Sequence, residues 1–166
     1  RNYGAKKAKS KIIAFLDADS VPVRSWIESI NDAFRDRKLS VISGVDLYEN
    51  KNPAKRFVLN TFSYIIFYYC TALTWFGKPM LIANNMAIKR EVFEKAGGFD
   101  HFVVEDYYLT IKLGKFGCIT KMDGRMKVEC SSRRIDKRGL FNTWKVWFVS
   151  LFRKIPSGDY ALHDKE

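Results

Sequence analysis

The sequence feature that most constrains the fold is a run of five apolar residues, Ile12 to Leu16, which ends abruptly in Asp17-Ala18-Asp19. A continuous apolar run of this length between charged segments predicts a strand buried on both faces. Apolar residues at helical spacing predict a helix over 24–36, and 41–45 is typical of a second strand. Because strands alternate with helices, we expect an α/β fold with a doubly wound, mostly parallel sheet flanked by helices.

The whole 166-residue chain has the length of a single domain and continues this alternation. Asp123-Gly124 is typical of a hairpin turn between two short strands. The region 139–154 predicts an amphipathic helix, and 155–166 predicts a polar tail. The remaining predicted elements are a strand over 80–88 with a polar interruption at Asn84-Asn85, helices over 91–96 and 105–117, and the hairpin strands over 119–122 and 126–130.

Residues 57–76 contain no charged side chain. This length would suffice to cross a bilayer, but polar residues interrupt the run and an ordinary globular pattern resumes after it. A buried or membrane-grazing helix is therefore favoured over a transmembrane helix. Together with the helix over 139–154, which Lys and Arg accompany, the run predicts a peripheral binding site for an anionic membrane surface.

The net charge of +11 indicates an anionic partner, either nucleic acid, an acidic membrane surface or a phosphorylated small molecule. The aromatic residues cluster in uncharged helical stripes, so nucleic acid is not expected. Cys70, Cys118 and Cys130 are an odd number without CxxC spacing, which favours free thiols in a reducing compartment. We expect a cytoplasmic protein, peripheral at the inner face of the membrane.

Two carboxylates, Asp17 and Asp19, follow the first predicted strand at its carboxyl end, the edge at which open α/β sheets bind ligands. They repel each other unless water solvates them or a cation lies between them. Their hard oxygens suit Mg²⁺ or Mn²⁺, ions that commonly bridge a carboxylate to phosphate. A solvated turn, in which Asp19 or Ser20 caps the next segment, explains the same residues, so the pair alone does not decide.

The context of this pair is more specific. Four segments follow one another in a fixed order: Arg1-Asn2-Tyr3-Gly4-Ala5 with the run 12–19, then 83–93 before Gly97-Gly98-Phe99, then Glu105-Asp106 with Leu109, and finally Arg133-Arg134. In order and spacing, over about 1–138, these segments closely resemble those of the family 2 glycosyltransferases. The resemblance implies a GT-A fold, a nucleotide-diphosphate sugar donor and inversion at the anomeric carbon.

On the donor side, the resemblance implies that Asp19 holds a divalent metal, Mg²⁺ or Mn²⁺, on the diphosphate. Asp17 is then expected near the ribose or the same metal. Arg133 and Arg134 would clamp phosphate bidentately, with a solvated basic loop as the alternative. Some GT-A enzymes use a late histidine as a metal ligand, but His163 lies in the polar tail, where a frayed terminus is the favoured interpretation.

On the acceptor side, the resemblance implies that Asp106 is the general base, with Glu105 and Asn85 also in the acceptor site. A position at a helix N-terminus should keep Asp106 ionised, and helix capping alone is the alternative for the acidic pair. Residues 131–135 lack the Gln and Trp of the Q-x-x-R-W pattern of processive polysaccharide synthases. Transfer of a single sugar to a glycan or lipid-linked acceptor is therefore expected.

The family normally has further strands and helices before the segment that begins at Arg1. We therefore expect this chain to hold the metal and acceptor half of the site, with an exposed apolar edge on the strand that ends at Asp17. Such an edge predicts self-association, or pairing with the missing segment, and an inactive piece that binds donor weakly. A membrane-surface or nucleic-acid binding module without catalysis is the alternative function.

Overall fold

The computed structural model of the protein describes residues 1–153, 155 and 156, without the side chains of Trp144, Trp147 and Leu151. His163 and most of the predicted polar tail lie outside the described residues. The elements, in chain order, are α1 (Asn2–Lys7), β1 (Ile12–Leu16), β2 (Ser20–Pro22), α2 (Trp26–Ala33), β3 (Leu39–Glu49), α3 (Pro53–Trp75), β4 (Asn85–Lys89), α4 (Arg90–Lys95), α5 (Glu105–Lys115), β5 (Ile119–Ser131), α6 (Arg133–Arg138) and α7 (Leu140–Phe152).

The described strands form one sheet in the order β1-β4-β3-β5-β2. β3 and β5 are parallel, whereas β1–β4, β3–β4 and β2–β5 are antiparallel. The predicted α/β class is confirmed, but the sheet is mixed rather than mostly parallel. The alternation of strands and helices carries no information on the direction of β4, which lies between β1 and β3 and runs opposite to both.

Helices cover both faces of the sheet. Trp26 and Ile30 of α2 pack on one face, in a cluster with Ile42 and Met126. On the other face α1, α4 and α5 pack together, and this cluster contains the buried side chains Ala5, Ile13, Phe15, Val41, Met86, Ile88, Phe93, Phe99, Leu109 and Leu113. The catalytic candidates therefore lie at one end of a sheet whose central strands are covered on both sides.

β1 is the edge strand of the described sheet, and only one of its faces is buried. Ile13 and Phe15 point into the core, whereas Ala14 and Leu16 are exposed. The prediction of burial on both faces is therefore wrong for this structure. The reason is that α2 packs over β3 and β5, so that on this side Ile12 is partly covered while Ala14 and Leu16 stay exposed. The expectation of an exposed apolar edge at this strand matches the geometry.

β5 is one continuous strand over Ile119–Ser131, so the predicted hairpin at Asp123-Gly124 is wrong. Both halves of β5 pair in parallel with β3, and the pairing jumps from Ser43–Met122 to Val45–Lys127. A β-bulge at this point takes up the extra residues instead of a chain reversal. Asp123 and Gly124 lie at this bulge inside the strand, and the local sequence does not distinguish a bulge from a turn.

Helix α3 begins with Asn52 as N-cap, whose Oδ1 accepts the backbone N–H of Lys55 at 3.1 Å, and with Pro53 in the first turn. By length and composition it could cross a membrane, yet only 17% of its most apolar segment is buried. One face, with Leu59, Phe67 and Cys70, is buried. A fully buried helix is therefore excluded for α3.

Gly44 lies where β3, β4 and β5 come closest together. A Cβ built on Gly44 would lie 1.7 Å from the carbonyl oxygen of Met126 and 2.7 Å from Nδ2 of Asn85. Neither atom can move away without breaking the hydrogen bond that the Asn85 amide donates to Met126 O at 2.9 Å. Only glycine fits this position.

We predict that Gly44→Ala lowers the free energy of unfolding by about 3 kcal/mol or more, since the added methyl group collides with backbone. The matched control is Gly114→Ala, at a helical glycine of α5 whose added Cβ would meet nothing within 4 Å. That substitution should raise stability by about 0.5–1 kcal/mol. Urea unfolding of both variants is the measurement, and equal effects at the two sites would contradict the close approach.

Candidate functional site

Asp17 and Asp19 lie in the turn between β1 and β2, at the carboxyl end of β1. The backbone N–H of Ser20 donates to Asp17 O at 3.1 Å and closes this turn. Ser20 then pairs with Cys130 in the antiparallel β2–β5 ladder. The turn is thereby fixed against the carboxyl end of β5, which places both carboxylates at the sheet edge that the sequence predicted.

Arg1 is a site residue that the sequence analysis did not single out. Its guanidinium donates to Asp17 through Nη2 and to Glu105 through Nη1, and it lies 5.7 Å from the ring centroid of Phe99. Burial lowers the pKa of Arg1, but the hydrogen bond and charge of Asp17, with the charges of Glu105 and Asp106, outweigh it and the pKa is raised. A basic residue within the first matched motif was the available signal.

The neighbouring Asn2 fixes the position of Arg1 relative to α5. Its Nδ2 donates to Phe99 O at 2.8 Å, and its Oδ1 accepts the Phe99 N–H at 2.9 Å. Gly98 has φ +71°, and a Cβ there would lie 2.8 Å from Asn2 Oδ1. The Asn2 side chain is therefore hydrogen-bonded to the backbone of the Gly-Gly-Phe element, and glycine at position 98 leaves room for it. The two motifs are in direct contact.

Glu105 and Asp106 begin α5, as predicted. The carboxylate of Glu105 binds Arg1, and Asp106 Oδ1 accepts the Tyr107 N–H at 2.8 Å. The N-cap residue itself, Val104, makes no side-chain capping bond. The contact of Glu105 with Arg1 goes beyond capping, whereas the bond from Tyr107 N–H to Asp106 is the one that capping predicts.

Burial dominates the electrostatics of Asp106. Desolvation raises its pKa, and the hydrogen bonds from the backbone of Tyr107 and Ala83, with the charge of Arg1, lower it by less. The helix N-terminus was expected to keep this group ionised, but the net pKa is raised. Burial likewise raises the pKa of Glu105 against the opposing charge of Arg1. A raised pKa makes Asp106 a stronger proton acceptor when it is ionised.

Asn85 is not available to an acceptor, so its predicted place in the acceptor site is wrong for this structure. Its side chain has no exposed surface. Nδ2 donates to Val45 O at 3.1 Å and to Met126 O at 2.9 Å, and Oδ1 accepts from Trp26 Nε1 at 2.9 Å. Asn85 is a structural residue that holds β3 and β5 together on either side of the β-bulge.

Arg133 and Arg134 lie in the first turn of α6 and line a cleft of about 250 Å³ with Asp19 and Lys137. Arg133 Nη2 is 3.8 Å from Asp19 Oδ2, and both side chains are more than half exposed. Such an exposed, long ion pair contributes little to stability. The structure thus brings the basic pair and Asp19 together and leaves them accessible to a ligand.

A second cleft, of about 430 Å³, also contains Asp19. Its lining includes Glu49 and Asn50 at the end of β3, and Cys130 and Ser131 at the end of β5. Asp19 therefore lies on the boundary between a basic cleft and a cleft of mixed polarity.

Asp46 on β3 is a further residue that the sequence analysis missed. Burial raises its pKa to about 7, although nearby Asn84 and Asn85 amides lower it, and the charges of Asp17 and Asp106 raise it further. Its Oδ1 is buried and has no hydrogen-bond partner among the described residues. The predicted strand over 41–45 ended one residue earlier, so nothing in the sequence marked this carboxylate.

We predict that Asp46→Asn stabilises the protein more at pH 8 than at pH 5. Between a pKa of about 4 in the unfolded chain and about 7 in the folded one, folding takes up a proton, so the parent protein loses stability as pH rises. The variant lacks this loss, and its advantage should grow by roughly 2–3 kcal/mol between the two pH values, at 1.36 kcal/mol per pKa unit. Denaturant unfolding measures it.

The control for this experiment is Asp36→Asn, at an exposed position between α2 and β3. Its effect should be the same at both pH values. A pH-independent effect of Asp46→Asn would show that the Asp46 carboxylate is solvated in the folded protein.

The fit of a metal ion can be judged from the donor set. Among the described residues, no group of three or more His, Cys, Asp or Glu side chains could hold a metal by itself. Mg²⁺ and Mn²⁺ are commonly held by one or two carboxylates together with phosphate oxygens, and Asp19, about half exposed at the mouth of the basic cleft, suits that arrangement. Asp17 is already bound to Arg1. The residues fit a metal that arrives with a phosphate ligand.

Comparisons with known proteins show what this chain is similar to. The pre-mycofactocin glycosyltransferase of Mycobacterium tuberculosis, in strains CDC 1551 / Oshkosh and ATCC 25618 / H37Rv, is 36% identical over 59 residues, which are 34% of this chain and 13% of that protein. The solved structure of the mannosyltransferase PcManGT from Pyrobaculum calidifontis, in complex with GDP-Man and Mn²⁺, matches with a TM-score of 0.56 and 21% identity. That match covers 77% of this chain and 34% of the other, and it shows the GT-A fold.

The chain thus spans about a third or less of the proteins it matches. The family model described as "Glycosyl transferase family 2" matches residues 1–97, which include Arg1, both aspartates of the β1–β2 turn and the Asn85 region, but not Asp106. Because this match covers more than half of the chain, the protein belongs to glycosyltransferase family 2.

Proposed function

We propose that this chain forms the metal- and acceptor-binding part of an inverting, metal-dependent glycosyltransferase. The reaction would move one sugar from a nucleotide-diphosphate donor to a hydroxyl group of a glycan or lipid-linked acceptor. The observation that carries the proposal is the Arg1 guanidinium between Asp17 and Glu105, which brings the β1–β2 turn beside the first turn of α5. The turn that carries Asp19 and the helix start that carries Asp106 are thereby joined through Arg1.

On the donor side, the leaving diphosphate gains negative charge as the bond to the anomeric carbon breaks. Arg133, Arg134 and Lys137 surround the cleft that Asp19 borders, and they would bind the phosphate oxygens. Asp19, with Asp17 near the ribose, would hold Mg²⁺ or Mn²⁺, which neutralises the leaving group. The Mn²⁺ and GDP-Man of the mannosyltransferase structure support this proposal without identifying the sugar or base.

On the acceptor side, we assign proton removal to Asp106. The acceptor oxygen forms its bond to the anomeric carbon on the face opposite the leaving phosphate, and its proton passes to the Asp106 carboxylate. This single displacement inverts the anomeric configuration. The raised pKa of Asp106 favours the transfer, and the charge of Arg1 opposes the rise.

A binding module without catalysis is less consistent with the site. Desolvation raises the pKa of both Asp46 and Asp106, and the charge of Asp17 acts on Asp46, a cost in stability that binding alone does not require. A cytoplasmic location is part of the proposal, supported by Cys70, Cys118 and Cys130, which are all free thiols.

We predict that Asp106→Asn in the full-length protein lowers the transfer rate by about 10²–10⁴-fold, the usual contribution of a general base. Donor affinity should stay close to that of the parent, because Asp106 does not line the cleft formed by Asp19, Arg133, Arg134 and Lys137. The parent's rate should fall as pH drops through the pKa of Asp106, above the ordinary range of an aspartate. Transfer rates and donor binding measured together test this.

Glu105→Gln is the matched variant for that experiment. Its carboxylate binds Arg1, so we expect a smaller loss of rate. Near-parental transfer by Asp106→Asn together with an inactive Glu105→Gln would reverse the two roles, and full activity in both would place the base elsewhere.

We also predict that Asp19→Ala abolishes the dependence of donor hydrolysis on Mn²⁺ and lowers its rate by about 10²-fold or more. Glu94→Ala, at an exposed residue of α4, is the control and should behave like the parent. Hydrolysis of a panel of nucleotide sugars by the full-length protein, with and without Mn²⁺, is the measurement. A metal-stripped Asp19→Ala enzyme with full activity would remove the metal from the proposal.

A further inference from the structure

Helix α3 presents an apolar face to solvent along its whole length, opposite the face that packs on β3 and β5. The residues concerned recur at spacings of three, four and seven, which places them on one side of the helix. The large apolar side chains of this α3 face are each 55–83% exposed, and they are Phe57, Val58, Ile65, Tyr68, Tyr69, Trp75 and Phe76 at the C-cap.

The size of the α3 face sets it apart from ordinary exposed apolar residues. Its helix has 23 residues, about 35 Å at 1.5 Å per residue. Single exposed apolar side chains are normal, but a contiguous row of this length marks a surface that another apolar phase covers. Thr61, a polar residue exposed within the row, carries no charge.

Charge distinguishes a lipid surface from a protein partner. From residue 50 to residue 90 the sequence contains no Asp or Glu, and Lys51, Arg56 and Lys78 are exposed at the two ends of α3. Protein interfaces are typically rimmed by polar groups of both signs, whereas an anionic bilayer attracts basic residues beside an apolar face. Tyr and Trp side chains are enriched at the boundary between lipid and water.

α3 lies on a membrane surface more readily than it spans one. Its inner face is attached to the sheet through Leu59, Phe67 and Cys70, and Asn60 Oδ1 accepts the Tyr48 N–H of β3 at 2.7 Å. A transmembrane orientation would have to pull these contacts apart. An interfacial orientation, with the helix axis in the membrane plane, leaves them intact.

Helix α7 repeats the same pattern beside the catalytic helix. Phe141, Phe148 and Phe152 are exposed at spacings of seven and four, and residues 137–158 contain no acidic side chain. α7 adjoins α5, since Tyr108 Oη donates to Ser150 O at 3.4 Å.

We propose that the α3 face binds the headgroup region of a membrane containing anionic lipids, with α3 parallel to the membrane plane. Binding follows from burial of the apolar row and from attraction between the exposed basic residues and lipid phosphates. Resting on the proposed function, this makes the acceptor a lipid-linked one whose hydroxyl is presented from the membrane surface.

The test uses two isoleucines of equal exposure. Ile65 on the α3 face and Ile27 on α2 are both 58% exposed, and α2 covers the opposite face of the sheet. In the full-length protein, Ile65→Glu should weaken binding to phosphatidylglycerol–phosphatidylcholine vesicles on the order of tenfold. Ile27→Glu should bind like the parent. Binding is measured by cosedimentation without sugar donor, so its outcome is independent of the glycosyl transfer reaction.

A local readout accompanies cosedimentation, in case other parts of the full-length protein also bind lipid. An environment-sensitive fluorophore on Ile65→Cys should shift to the blue when these vesicles are added, and the same label on Ile27→Cys should not. Lys78→Gln should weaken binding roughly fivefold, and high salt should also weaken it.

Three results would overturn the proposal. The first is equal binding of the Ile65→Glu and Ile27→Glu variants together with no shift from the label at position 65. The second is equal affinity for pure phosphatidylcholine vesicles at all salt concentrations. The third is a dimer in lipid-free solution that Ile65→Glu dissociates, since a second copy would then cover the α3 face. Circular dichroism and thermal unfolding confirm that both glutamate variants remain folded.

Discussion

The arrangement of the site depends on the guanidinium of Arg1. It joins Asp17, at the end of β1, to Glu105, which lies 104 residues from Arg1 along the chain. Without this positive charge, three acidic side chains of the β1–β2 turn and α5 would face one another unbalanced. The side chain of the next residue, Asn2, is hydrogen-bonded to the backbone of Phe99 in the Gly-Gly-Phe loop. These bonds help to hold the Arg1 guanidinium in position.

The local charge of the site is opposite to that of the chain. The protein carries a net charge of +11, yet Asp17, Glu105 and Asp106 lie around Arg1 and act on its pKa. The charges of Asp17 and Asp106 also raise the pKa of Asp46. Basic side chains are instead found at the rim, in α6 and at the ends of α3. An anionic donor would thus be attracted to the rim. The centre would favour positive charge, such as that of a metal ion or of the anomeric carbon during sugar transfer.

The fold and part of the site could be predicted from the sequence because their signals are local. The apolar run of β1 with Asp17 and Asp19, and the acidic start of α5, lie where the pattern placed them. What failed depends on long-range pairing. Whether Asp123-Gly124 reverses the chain or bulges inside a strand is decided by β3, and no local pattern carries that information.

The same distinction explains the errors in side-chain roles. Asn85 belongs to the motif, but its amide is consumed by β3, β5 and Trp26, so a polar residue that was expected to bind substrate is structural. Asp46 is the reverse case, a residue that the sequence did not single out. Its neighbours in the sequence are ordinary strand residues, and its Oδ1 atom is buried only in the folded protein. Placement of Asp17, Asp19 and Asp106 agrees with the predictions, whereas their chemical roles stay predictions.

The strand order has a consequence for synthesis on the ribosome. β1 pairs with β4, from Ile12 with Lys89 to Leu16 with Asn85, so its described partner emerges roughly 70 residues later, several seconds at about 5–20 residues per second. During that interval Phe15 lacks Phe93 and Phe99, the two rings against which it later packs. The Asp17–Asp19 turn acquires its geometry later still, after β5 has been made, because Ser20 pairs with Cys130.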